Sequence, residues 1–139
     1  MNKSSSYKIK AKIEDIENGI NPILTLLEDL QIDHKICFKI RLALDELLTN
    51  VVSYAYDEPE DGDIEISYQL SDNPSCIYID ICDYGRAFNP LEIADPKIDA
   101  AAEDRRIGGL GLFLVKNTMD SISYRREGDK NIMSLKKII

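Results

Sequence analysis

One long apolar stripe constrains the fold of this chain more than any other feature of its sequence. It consists of residues spaced three and four apart over about five helical turns: Ile36, Ile40, Ala43, Leu44, Leu47, Leu48, Val51 and Ala55. That spacing places them on one face of a helix, with Asp33 in position to act as its N-cap. The stripe therefore predicts a long amphipathic helix that packs against a core.

The segments after this helix alternate apolar and polar residues, which is typical of half-buried strands. Strands that arrive in consecutive pairs favour an antiparallel or mixed, mostly antiparallel sheet with helices on one face, an α/β (α+β) two-layer sandwich. Asn21-Pro22 either opens the first helix or interrupts a longer one. The predicted elements are a strand over 7–13, a helix over 16–30, the long helix, strands over 64–70 and 77–81, a helix over 110–119, and strands over 122–126 and 132–138.

Composition and charge narrow the functional classes. With 139 residues, 44% hydrophobic and 30% charged, the chain predicts one domain over 7–139 behind a disordered tail over 1–6. The sequence shows neither a membrane helix nor a secretory signal, so a cytoplasmic protein is expected.

Positions 45–104 carry 16 acidic and two basic residues, which argues against direct nucleic-acid binding. Cys37, Cys76 and Cys82 lack metal-type spacing, and they and the single His34 are predicted to be structural.

The first motif is Asp45-Glu46-Leu47-Leu48-Thr49-Asn50 on the long helix. Glu46 and Asn50 are four residues apart, so both project from one edge beside the apolar stripe. A carboxylate and a carboxamide directed at one point can position a hydroxyl and contact a hard cation. The alternative is that the two residues simply flank a buried face.

The second motif, Asp83-Tyr84-Gly85-Arg86-Ala87-Phe88-Asn89-Pro90, follows a predicted strand. A rigidly held carboxylate such as that of Asp83 accepts a hydrogen bond from an exocyclic amino group, and Gly85 permits a close backbone approach to a planar ligand. The alternative is an Asx-type turn that closes the strand. Residues 84–108 form a long irregular stretch of a kind that is often functional.

The third motif, Arg105-Arg106-Ile107-Gly108-Gly109-Leu110-Gly111-Leu112, runs into a predicted helix. Glycines at a helix start present free backbone N–H groups to an anion, and arginines upstream add bidentate contacts to phosphate. The motif is neither a P-loop nor a dinucleotide fingerprint, because no Gly-Lys-Ser/Thr and no parallel βαβ unit accompany it. The alternative, a flexible hinge, does not explain the flanking charges.

Taken in order, these three motifs resemble the GHKL or Bergerat-fold ATPases, the superfamily of the gyrase and histidine-kinase ATP domains. The residues within the motifs are similar to those of the anti-sigma-factor serine kinases, and the similarity covers nearly the whole chain. The resemblance implies an ATP site with Mg²⁺ in which Asn50 takes the magnesium, Glu46 is the general base and Asp83 binds the adenine amino group. It extends the nucleotide site to Gly85, Ala87, Phe88, Arg105, Gly108, Gly109, Leu110, Gly111 and Leu112.

Three positions depart from the family pattern. Ala87 stands where a second glycine is common in the adenine motif. Ile107 separates the glycines from Arg106, which is the candidate for stabilising phosphoryl transfer, with Arg105 as the reserve. The hydroxyl residue that supports the adenine aspartate in this family has its candidate in Ser134.

The resemblance also implies partner switching. Such kinases bind a sigma factor when loaded with ATP, phosphorylate an anti-anti-sigma (STAS-type) protein on serine or threonine, and tend to form homodimers. The alternative function is a nucleotide-dependent module that sequesters a sigma factor or another regulator without phosphotransfer. Glu46 favours the kinase, because a pure binder needs no base. A detached sensor-kinase domain ranks last, because no helix pair with an acceptor histidine is present.

Overall fold

The computed structural model describes residues 3–57, 62–72, 75–92 and 109–139. In these ranges three α-helices accompany five strands, and short 3-10 turns cover Ile13–Asp15 and Pro90–Glu92. The order along the chain is β1 (Ser4–Lys10), α1 (Ile16–Asp29), α2 (His34–Tyr54), β2 (Asp63–Ser71), β3 (Cys76–Asp83), α3 (Gly109–Thr118), β4 (Ser121–Glu127) and β5 (Lys130–Ile138).

The five strands form one sheet in the order β1-β2-β3-β5-β4, and each pair of neighbours is antiparallel. The predicted two-layer sandwich is therefore confirmed. The last hairpin joins the sheet through its second strand, so β5 lies beside β3. The pairing sets Asp83, at the end of β3, directly opposite Asn131 at the start of β5.

The predicted apolar stripe forms the centre of the core. Seven of its eight residues are buried, six on α2 and Ala55 directly after it, and only Ile36 is partly exposed. The Asp33 side chain caps α2 as predicted by accepting a hydrogen bond of 2.7 Å from the Lys35 amide. The isoleucines of β2 and β3 complete the core from the sheet side, and each fully buried one contributes roughly 1.5–3 kcal/mol: Ile64, Ile66, Ile77, Ile79 and Ile81.

Helix α1 continues through Pro22, which settles the question that the sequence left open. The proline lies inside the helix, although it lacks the N–H that would bond to the preceding turn. Buried apolar residues precede and follow it on the same face, among them Ile20 and Ile23. Their burial outweighs the loss of one backbone hydrogen bond.

The prediction of a disordered tail over 1–6 is wrong for residues 4–6. Strand β1 begins at Ser4, and Ser4, Ser5 and Ser6 pair with β2. These serines are exposed, so the apolar pattern that indicates a strand is missing from them. They are held by main-chain hydrogen bonds, which require no apolar side chain.

The three cysteines differ in their exposure. Cys76 is buried, Cys37 and Cys82 are partly buried, and all three are free thiols. The described residues contain no group of three or more potential metal ligands from His, Cys, Asp and Glu. None of the helices in these ranges is long and apolar enough to cross a membrane.

Candidate functional site

The side-chain nitrogen of Asn50 is buried and has no partner among the described residues. Asn50 lies on α2 and is 4% exposed. Its Nδ2 is the one buried side-chain nitrogen or oxygen among the described residues that makes no hydrogen bond. Leaving such a donor unsatisfied costs about 1–3 kcal/mol, so a residue of this kind calls for an explanation. A ligand that brings oxygen atoms would satisfy it.

The Asn50 amide carries groups that suit a phosphate and a divalent cation. The amide offers a neutral oxygen, which Mg²⁺ accepts as a ligand, and an N–H donor, which suits a phosphate oxygen. Asn50 lines a cavity together with Asp83, Phe88 and Asn131. The chemistry of this amide fits the magnesium role, which stays a prediction for Asn50.

Glu46 lies one turn before Asn50 on α2 and is half-buried. Burial raises the pKa of its carboxyl group, and the neighbouring Asp45 carboxylate raises it further. The carboxylate lies against the first turn of α3, where a Cβ atom at Gly111 would overlap it. The absence of a side chain at Gly111 is what allows α3 to start beside Glu46.

Asp83 ends β3 and is 4% exposed. Its Oδ1 accepts hydrogen bonds from the Gly85 amide at 2.9 Å and from Asn131 Nδ2 at 2.8 Å. Burial raises the pKa of this carboxyl, while these two hydrogen bonds and the Arg126 charge act in the opposite direction. The bond from Gly85 is the Asx-type turn that the sequence allowed, and the turn leaves Oδ2 without a hydrogen bond to any described residue.

Asn131 is the site residue that the sequence analysis missed. It is 2% exposed and uses both of its donors and its acceptor oxygen. Nδ2 donates to Asp83 and to the Arg86 carbonyl, while Oδ1 accepts from the Phe88 amide and from the Tyr124 hydroxyl. One side chain therefore fixes Asp83 and two main-chain positions of the loop behind it.

Ser134, the predicted support of Asp83, lies on the opposite face of the sheet. Its hydroxyl donates to Asp80 at 2.6 Å and accepts from Arg125 at 3.1 Å. Asn131 and Ser134 are an odd number of residues apart on one strand, so their side chains point to opposite faces. The register that identifies Asn131 depends on the pairing of β5 with β3, which the sequence alone did not supply.

The loop after Asp83 is tied to the end of α2. The Arg86 amide donates to the Ala55 carbonyl at 2.8 Å, and Arg126 Nη1 donates to the Gly85 carbonyl at 2.8 Å. A Cβ atom at position 85 would overlap the Ala55 carbonyl. The missing side chain of Gly85 therefore lets the loop pack closely against the end of α2. A close contact with a ligand would be additional.

Phe88 closes the cavity between Asn50 and Asp83 on one side. Its ring centroid lies 5.3 Å from that of Tyr54, and Ala87 beside it is exposed. The cavity measures about 10 Å³, which is the space of a single water molecule. A purine base therefore needs a shift of Phe88 or of its neighbours to enter.

The third motif lies only partly within the described residues. Gly109 and Leu110 begin α3, and Leu112 is 1% exposed, so its side chain belongs to the core. Three predicted residues lie outside the described ranges: Arg105, Arg106 and Gly108. The structure thus brings Glu46 close to Gly111 and Asn50 close to Asp83. Glu46 and Asn50 lie one turn apart on α2.

Comparison with known proteins relates this arrangement to a family. Residues 9–137 match the family described as histidine kinase-like ATPase domain. The chain is 27% identical to the serine-protein kinase RsbW of Listeria innocua over 96% of this chain and 87% of that protein. It is 29% identical to the serine/threonine-protein kinase BtrW of Bordetella bronchiseptica over 70% of this chain and 68% of that protein.

A solved structure agrees with the fold. The RsbU and RsbW domains of Rv1364c from Mycobacterium tuberculosis superpose with a TM-score of 0.69 at 14% identity, over 98% of this chain and 32% of that one. The family match covers nearly the whole chain, and the order of helix edge, strand end and glycine-led helix is the one that the sequence predicts. This chain belongs to the histidine kinase-like ATPase domain family.

Proposed function

We propose that this protein is an ATP-dependent serine/threonine protein kinase and anti-sigma factor that acts on an anti-anti-sigma protein of the STAS type. The observation that carries the proposal is the buried Nδ2 of Asn50, which has no partner among the described residues. It lies one turn from the half-buried carboxylate of Glu46 at the start of α3. The relatives named as serine-protein kinase and serine/threonine-protein kinase support the same activity.

In this proposal the chain holds ATP at two points. Asp83 accepts a hydrogen bond from the adenine amino group, and its pairing with Asn131 keeps the carboxylate in place. Asn50, with the main-chain N–H groups at Gly109 and Gly111, holds the phosphates. Mg²⁺ bound at Asn50 would neutralise phosphate charge during transfer.

Glu46 takes the proton from the acceptor hydroxyl. The hydroxyl oxygen forms a bond to the γ-phosphorus while the bond from that phosphorus to the β–γ bridging oxygen breaks, so ADP leaves. A raised pKa makes the Glu46 carboxylate a stronger base than an exposed glutamate. Arg106, or Arg105 in its place, would stabilise the charge on the transferred group.

The proposal has further parts. A sigma factor is the ligand of the ATP-loaded form. The protein is cytoplasmic, and neither a nucleic acid nor a membrane takes part in its function. The chain from Ser4, where β1 begins, acts as one domain that forms a homodimer. The oligomeric state follows directly from sedimentation of the purified chain.

Replacement of Glu46 by glutamine tests the catalytic role. Glu46→Gln keeps the size of the side chain and removes the base, so phosphate transfer to a purified anti-anti-sigma protein falls about 100-fold or more. Affinity for ATP, measured by calorimetry, stays within about threefold, because Glu46 is assigned no contact with ATP.

Asp45→Asn is the matched control, since it removes the adjacent and exposed carboxylate. It is expected to leave transfer near the level of the unaltered chain. Full transfer by Glu46→Gln removes Glu46 from the base role. ATP-dependent capture of the partner without any phosphorylated product would replace the kinase by a nucleotide-dependent binding module.

A further inference from the structure

A wide apolar groove lies between α2 and α3. Its volume is about 640 Å³, and Phe38, Leu42 and Leu114 form its apolar wall. Phe38 is 67% exposed and Leu114 is 40% exposed. Exposed apolar patches of this kind mark interaction surfaces, because covering a phenylalanine or leucine side chain gains roughly 1.5–3 kcal/mol. We call this surface the α2–α3 groove.

The α2–α3 groove leads to Glu46. The Glu46 carboxylate lies against Gly111, Leu42 is one turn before Glu46 on α2, and Leu114 is one turn after Gly111 on α3. Residue numbers thus fall along α2 while they rise along α3, so the helices run antiparallel beside the groove. A segment seated between them reaches the predicted base within about one helical turn of Leu42, or about 6 Å.

The far end of the groove is basic. Lys35 and Lys39 line it, next to His34, and in the described part of the chain neither lysine forms an ion pair. This contrasts with the chain as a whole, whose net charge is −8. Two lysines in this position attract acidic side chains of a ligand and reject a basic one.

We propose that the α2–α3 groove docks the protein substrate, through a segment that is apolar next to the acceptor serine or threonine and acidic further away. This inference rests on the proposed function, because it takes Glu46 as the base. Lys35 is eleven residues before Glu46, or about 16 Å along the helix. The acidic side chains therefore lie about 16 Å from the acceptor hydroxyl, a distance of about five residues in an extended segment.

Phe38→Glu tests the docking, with Ile13→Glu as the matched control. Both residues are exposed and apolar, at 67% and 72%, so neither change disturbs the core. The probe is a purified anti-anti-sigma protein, added to ATP-loaded chains that also carry Glu46→Gln, so that binding is measured without transfer. Phe38→Glu is expected to weaken binding at least about tenfold. Ile13→Glu is expected to leave it unchanged.

Reversing the two lysine charges at the basic end of the α2–α3 groove tests whether the bound segment carries acidic side chains there. Lys35→Glu together with Lys39→Glu is expected to weaken binding of the same probe several-fold at low salt, and the difference is expected to shrink at about 0.5 M salt. With Glu46 intact, both groove variants raise the KM for the protein substrate and leave kcat and the KM for ATP unchanged.

The outcomes separate this inference from the proposed function. Equal binding by Phe38→Glu and the unaltered chain overturns the docking site, whether or not phosphate is transferred. Binding that depends on Phe38 without any transfer supports the docking site and overturns the kinase. A homodimer that dissociates in Phe38→Glu, seen by sedimentation, would assign the groove to a second copy and overturn the substrate assignment.

Discussion

The two ends of the candidate site differ in how far the protein itself satisfies their polar groups. At the proposed adenine contact, Asp83 accepts two hydrogen bonds and Asn131 has no donor left unpaired. At the proposed phosphate contact, Asn50 Nδ2 has no partner among the described residues, and burial raises the pKa of the Glu46 carboxyl. The protein therefore satisfies the polar groups of the first end by itself, whereas it leaves a buried donor of the second end unsatisfied. The proposed function thus predicts that binding and chemistry are separable by mutation.

Asp83→Asn breaks the adenine end and has the largest expected effect on ATP. The new amide turns a donor toward Asn131 Nδ2 or toward the adenine amino group, so one favourable contact is lost in either orientation. Affinity for ATP, by calorimetry with Mg²⁺, is expected to fall roughly 10- to 100-fold. Preference for ATP over inosine triphosphate, which carries no amino group at that position, is expected to disappear.

Asp80→Asn is the control for that measurement. Asp80 lies on the same strand and faces the opposite side of the sheet, where it pairs with Ser134. It is expected to bind ATP as the unaltered chain does. Undiminished affinity in Asp83→Asn would remove that residue from base recognition.

The effect of a leucine at Asn131 and at Asn50 on the free energy of unfolding tests the difference between the two ends. Asn131→Leu leaves Asp83, the Arg86 carbonyl and the Phe88 amide without their partner. The free energy of unfolding, from urea denaturation, is expected to fall by about 3 kcal/mol or more. Asn50→Leu removes a buried donor that has no partner among the described residues, so it is expected to keep stability or to raise it by up to about 1–3 kcal/mol. Similar losses in the two variants would contradict the contrast between the ends.

The pH dependence of stability gives the smallest expected effect. Because burial raises the pKa of Glu46 in the folded chain, the folded state holds this proton to higher pH than the unfolded state does. This residue therefore lowers stability as pH rises from the ordinary glutamate value, about 4.3, through its raised folded value. Glu46→Gln removes that contribution, so its gain in melting temperature over the unaltered chain is expected to be larger at pH 7 than at pH 4. A gain that is constant with pH would argue against the raised pKa.

The sequence predicted the elements whose side chains carry a strong pattern. The α2 stripe, the Asp33 cap and the alternating strands β2 and β3 were all readable, because burial on one face leaves a period of 3.6 or 2 in the sequence. Ser4–Ser6 carry no such pattern, since main-chain pairing holds them. Asn131 was missed because its role depends on strand register, and register is set by the pairing of β3 with β5 rather than by local residues.

The contacts that form the groove could not be predicted from local sequence patterns either. Phe38 and Leu42 lie outside the apolar stripe of α2, and only the position of α3 shows that they line a groove with Leu114. The approach of Gly111 to Glu46 likewise joins two motifs that are distant in the sequence. Motif order suggested that such residues belong to one site, while the distances between them required the fold.

The contact of Gly85 with Ala55 couples the loop after Asp83 to α2. The Arg86 amide holds this loop to the Ala55 carbonyl, about one and a half helical turns beyond Asn50. The loop behind Asp83 is therefore coupled to the same helix that carries Asn50, so a displacement of the last turn of α2 also displaces this loop.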